Sequence, residues 1–180
     1  MADLTIIAEL TPPPHNACRL GFDDRGPFWL GFQPAANGAY FGLDTWLDGR
    51  IETRPRDHEH HHFVRFSVES DEVLDQARRR VLREWEAGEW QPQFDSWTAQ
   101  NYYPFVRDCV TFARDVARAC GLKAPEVWDA LESEWHDHWV SRIDFLPQEL
   151  LVRLYHYNKE RVLESNLTSL GVSKPKTQNP

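Results

Sequence analysis

The sequence predicts an α+β fold, an antiparallel sheet drawn mainly from the part before Ser70 with helices packed against it. Before Ser70, short β-rich runs are separated by Gly, Pro and Asp, the punctuation of hairpins. After it, apolar residues recur at helical spacing in stretches opened by Ser, Asp or Pro and closed by Gly. The chain has 180 residues, 41% hydrophobic and 27% charged, which suits one domain around one core. The expected division is a single domain over 1–164 and a polar, disordered tail over 165–180 that holds Pro175 and Pro180.

Taken in order, Thr5 to Leu10 reads as an apolar strand stopped by Pro12-Pro13-Pro14. Ala17 to Phe22 and Phe28 to Phe32 read as a hairpin about Asp23-Asp24-Arg25-Gly26-Pro27. Gln33 to Gly49 is Gly/Asn/Asp-punctuated and reads as a long loop with short extended pieces. His62 to Val68 alternates, with His62, Val64 and Phe66 on the better-buried face. Ser70 caps a helix that ends near Gly88, and Asp108 caps one that runs to Cys120 and stops at Gly121. Pro125 opens a helical stretch to about Trp139, and Pro147 opens a last helix to about Leu163.

The formal net charge of −8 leaves no basic face for nucleic acid and no polybasic patch for anionic lipid. The first ten residues lack a basic, apolar leader, and no apolar run is long enough to span a membrane. Synthesis in the cytoplasm without a signal peptide is therefore expected. Three cysteines, Cys18, Cys109 and Cys120, are no disulfide framework. Eight tryptophans are many for a chain of this size and suit a deep core or a lined groove.

Cys109 is the residue whose setting points most directly to chemistry. It opens a helix, where unsatisfied N–H groups and the helix dipole favour a thiolate. Ala113, Val116, Ala117 and Cys120 share its stripe, and small residues there let a helix approach a sheet closely. Tyr102-Tyr103-Pro104-Phe105 leads into the helix and could wall a substrate groove, as could Trp97 and Trp90 before it. The competing reading is a small buried hydrophobe, a common fate for free cysteine, and the Asp108 carboxylate opposes thiolate formation.

The stretch Tyr102 to Ala113, continuing to Gly121-Leu122-Lys123-Ala124-Pro125, resembles the cysteine segment of circularly permuted papain-like proteins, the NlpC-type amidases and peptidases and their lecithin:retinol acyltransferase relatives. In that family a tyrosine-bearing loop leads to Asn-Cys and a helix that ends near Gly-Leu-x-x-Pro. The histidine lies upstream at the start of a strand. Here Trp29-Leu30-Gly31-Phe32-Gln33-Pro34 is similar to the element that follows that strand, and His15, heading Asn16-Ala17-Cys18-Arg19-Leu20, falls at the histidine's place. The sequence departs from the pattern at Asp108, where the family has Asn, and at Pro14, where it has Gly. The resemblance implies a papain-like permuted fold, Cys109 as nucleophile and His15 as general base.

The polar third group is expected from His58-Glu59-His60-His61-His62, with His62 ranked first by its parity with Val64 and Phe66, then His60 and His61. No cofactor and no metal are expected, since the histidines and Glu59 match no closed zinc site. His136, His138 and His156 read as structural. The family implies amide bonds of peptidoglycan peptides as substrate, turned over by a cysteine peptidase or amidase. A small acidic chain without a leader also resembles antibacterial type VI secretion effectors, which act in a rival's periplasm and meet a cognate immunity protein. Two other readings stay open: an acyltransferase or thiol lipase of the same fold, and a non-enzymatic binding protein with Cys109 buried.

Overall fold

The computed structural model describes residues 1–9, 15–34, 47–55, 61–86, 101–102, 108–125 and 147–172. Apolar runs before Ser70 form β1 (Asp3–Glu9), β2 (His15–Gly21), β3 (Phe28–Pro34), β4 (Leu47–Glu52) and β5 (His62–Ser67). There follow α1 (Asp71–Glu86), the two-residue β6 (Asn101–Tyr102), α2 (Cys109–Ala119), α3 (Pro147–Tyr157) and β7 (Val162–Ser165). The strands make one antiparallel sheet in the order β6-β4-β3-β2-β1-β5-β7, so the α+β class with an antiparallel sheet is observed.

Alternation sorts the sheet into two faces. Leu4, Ile6 and Ala8 of β1, Cys18 and Leu20 of β2, Leu30 and Phe32 of β3, and Val64 and Phe66 of β5 share one core with the three helices. On that face α2 lies over β2 and β3, while α3 lies over β1 and β5. Phe32, Trp85 and Phe112 join β3, α1 and α2 in an aromatic triangle with ring centroids 4.7, 4.9 and 6.0 Å apart. The other face carries Asp3, Thr5, Ile7, Ala17, Arg19, Trp29 and Gly31; Ile7, Ala17 and Trp29 are buried there too.

Three elements differ from expectation. The stretch read as a loop to Gly49 contains the start of β4, which pairs with β3 through Gln33↔Arg50 and Phe32↔Ile51. The last helix stops at Tyr157 rather than near Leu163. Asn158 ends it: its buried amide donates to the Leu154 and Lys123 carbonyls and accepts from the Lys123 N–H. Val162–Ser165 then turns back as β7 to pair with β5. Residues 165–172, read as the start of a tail, are part of the fold. Leu167 and Val172 are buried, and the Asn166 side chain bonds the His61 carbonyl and the Phe63 N–H at the start of β5. The helix expected from Pro125 to Trp139 lies outside the described residues.

Candidate active site

The start of α2 is built by Asp108. Its extended backbone (φ −131°) precedes the helix, its carboxylate accepts from Val110 N at 3.0 Å and Thr111 N at 2.9 Å, and Thr111 Oγ1 in turn accepts from Asp108 N at 2.9 Å. This is a reciprocal capping box. Gly121, at φ +76°, closes the other end in the left-handed region that glycine adopts without strain. Cys109 is the first residue inside the cap, on the helix face that meets the sheet, and it is 4% exposed. The cap has a chemical consequence. The N–H groups of Val110 and Thr111, the kind of helix-start donors that an oxyanion hole uses, already hold the Asp108 carboxylate, and that charge belongs to the residue next to the thiol.

Two contacts fix which end of the sheet Cys109 occupies. Arg161 donates to Gly121 O at 2.7 Å and to Ser67 O at 3.1 Å, so the end of α2 lies by the sheet end where Ser67, Asp3 and Gly21 pair. Phe112, in the first turn, stacks on Phe32 toward the other end of β3. Cys109 therefore lies toward the opposite end, where His15 begins β2 and His62 begins β5. Cys18, on β2 beneath α2, shares one core with the other two cysteines. Burial pushes its thiol pKa well above the usual range, and the neighbouring Cys120 and Cys109 add to the rise. Burial also pushes Cys120 up to about 12.

The histidines are divided between the faces. His62 shares its face with Val64 and Phe66 and pairs with Ala8, so it lies on the helix side, as its parity predicts. It is nevertheless two strands from β2, beneath α3 rather than α2. His15 alternates with Asn16 and Cys18, which places it on the far face. Its ring lies against Gly31, with Nε2 3.2 Å from the point a Cβ on that glycine would occupy. The expected pairing of His15 with Cys109 is thus not assembled by the strand register: the β2 side chains facing α2 are Asn16, Cys18 and Leu20.

Asn16 is the functional candidate that sequence reading passed over. It is completely buried, and its amide Nδ2 donates to the Ile7 carbonyl at 3.0 Å and the Pro147 carbonyl at 3.3 Å. The signal was present in its parity: a polar residue in phase with Cys18 and Leu20 on a core-facing strand. Of the expected groove residues, Tyr102 pairs with Leu47 in edge strand β6, three strands from β2. Tyr103, Trp97 and Trp90, with His58, His60, His136 and His138, lie outside the described residues.

No protein-family model matches the chain, and neither a curated protein nor a solved structure matches it. Among the described residues no three His, Cys, Asp or Glu side chains gather as a metal site, and no helix is long and apolar enough to cross a membrane.

Proposed function

We propose that the chain is a cysteine hydrolase of papain-like permuted topology that cleaves amide bonds of peptidoglycan peptides, with Cys109 as nucleophile. The observation that carries this reading is the convergence of element starts at one end of the sheet. Cys109 opens α2, His15 opens β2 and His62 opens β5, so a thiol and two imidazoles share one end. In the proposed reaction a histidine takes the Cys109 proton and the thiolate adds to the substrate carbonyl. The leaving amine departs with that proton, and water then cleaves the thioester to regenerate the thiol. Because the register holds His15 on the far face against Gly31, the reading requires the backbone at the start of β2 to rearrange before the imidazole can meet Cys109. Delivery by a type VI secretion machine into a rival's periplasm, with an immunity protein covering the site, belongs to the same proposal and rests on the family resemblance.

The competing reading is a non-enzymatic binding protein in which Cys109 is a core residue. It is favoured by the separation of His15 from the α2 face and by the Asp108 carboxylate on the helix N–H groups. One experiment separates the two. Purified peptidoglycan incubated with the protein is expected to release soluble fragments, with release abolished in Cys109→Ala and lowered at least a hundredfold in His15→Ala. Release that persists in folded Cys109→Ala, or no release by the wild-type chain, overturns the hydrolase.

A further inference from the structure

The two hydrogens of the Asn16 amide are both spent on backbone carbonyls, those of Ile7 and Pro147. Only an N–H can face a carbonyl oxygen, so these partners fix which end of the amide is nitrogen and which is oxygen. They also fix its direction. Ile7 lies on β1 and Pro147 opens α3, so Nδ2 points to the β1–α3 side and Oδ1 points away from it. On the other side of β2 lie β3 and the overlying α2, whose first residue is Cys109. Proximity has independent support. Cys109 belongs to the same packed core as Cys18, the next residue of β2 on the same face as Asn16, and it lies toward the Asn16 end of that strand.

Among the described residues no donor meets the buried Asn16 Oδ1, and Asn16 is 0% exposed. Gln148 Oε1, one residue beyond Pro147, is in the same condition. A buried acceptor left without a donor is costly and uncommon, and a donor can reach it from an ordered water or from a bound group. Asn16 Oδ1, on the side of the amide away from α3, defines what a guest at Cys109 must carry. The guest must offer N–H or O–H; a carboxylate or phosphate would meet oxygen with oxygen.

We propose that Asn16 Oδ1 receives an N–H group of an amide substrate bound at Cys109, and so selects amides over the corresponding esters. This rests on the hydrolase reading above and assigns to Asn16 the selection of its amide substrates over esters. Asn16 then has two duties in one side chain. Nδ2 ties β2 to β1 and α3, and Oδ1 is turned to the side of β2 that carries β3 and α2.

The test uses two electrophiles of the same size that differ by N–H against O. N-methyliodoacetamide and methyl iodoacetate both alkylate a thiol by displacing iodide, and only the first carries an N–H beside its carbonyl. The rates at Cys109 are read by mass spectrometry of the folded full chain, and their ratio is divided by the same ratio for glutathione. The expected wild-type value is about ten, the worth of one good hydrogen bond, falling to about one in Asn16→Leu. Asn16→Leu also loses the bonds to Ile7 and Pro147, so if that variant does not fold the wild-type ratio decides alone. A wild-type ratio near one overturns the inference and leaves the hydrolase reading standing. No labelling of folded protein by either reagent overturns both.

Discussion

The two ends of the sheet are built on opposite principles. At the Asp3–Gly21–Ser67 end, polar groups brace one element against another. The buried Asp3 carboxylate accepts from Arg19 at 3.1 Å and from Arg65 at 2.8 Å, so a single carboxylate joins β1, β2 and β5. Gly21 leaves room for it, since a Cβ there would fall 2.5 Å from Asp3 Oδ2. Arg161 ties Ser67 to Gly121 on the helix side, and Asn158 ties α3 to Lys123. At the other end β2, β5, α2 and α3 all begin, and two buried acceptor oxygens, Asn16 Oδ1 and Gln148 Oε1, meet no donor among the described residues. Buried polar groups that satisfy one another stabilise a fold, whereas an unmatched buried acceptor is a cost unless a donor reaches it.

The contrast can be broken at its hinge first. Phe112→Ala removes the ring that seats α2 on Phe32 and Trp85 and should cost about 3–5 kcal/mol in urea unfolding, the largest effect expected. Asn158→Ala at the braced end leaves the Lys123 backbone groups unmatched and should cost about 2–3 kcal/mol. A value near zero would show that this end is not held by its side-chain amides. The buried thiols predict an alkaline dependence. Folding raises the Cys120 pKa from 9.0 to about 12, so above pH 9 the unfolded chain loses a proton that the folded chain keeps. Stability should therefore fall through that window by about 1.4 kcal/mol per pH unit for Cys120, and Cys120→Ala should flatten the slope. The smallest effect belongs to Asp108→Asn. Asparagine caps as well as aspartate, so stability should change by less than about 0.5 kcal/mol. Removing the charge beside the thiol should still speed Cys109 alkylation severalfold at neutral pH. An unchanged rate would mean that Asp108 does not restrain the thiol.

What was legible in the sequence was what local chemistry decides. The β2–β3 hairpin follows from its turn residues, and α2 follows from Asp108 at one end and Gly121 at the other. The inward face of β5 follows from strict alternation. What escaped depends on partners distant in the chain. β7 forms because β5 offers an open edge, and α3 ends because Asn158 finds Lys123 thirty-five positions away. Neither leaves a mark in the local pattern, and the helical reading through Leu163 lacked only that knowledge. The site divides in the same way. Cys109 at a helix start could be read directly, whereas the face taken by His15 is fixed by where the Glu9↔His15 pairing starts the register. A shift of one residue would exchange His15 and Asn16.

The most direct measurement is the alkylation rate of each cysteine in the folded chain at neutral pH, in wild type and in His15→Ala. A nucleophile served by His15 should make Cys109 react at least ten times faster than Cys18 and Cys120, and that lead should vanish in the variant. Exposure alone (4% for Cys109 against 0% and 1% for the others) could give a lead, but one that His15→Ala leaves intact. A lead that survives in His15→Ala, or equal rates for all three thiols, would contradict the assignment of Cys109 and His15 as the reacting pair.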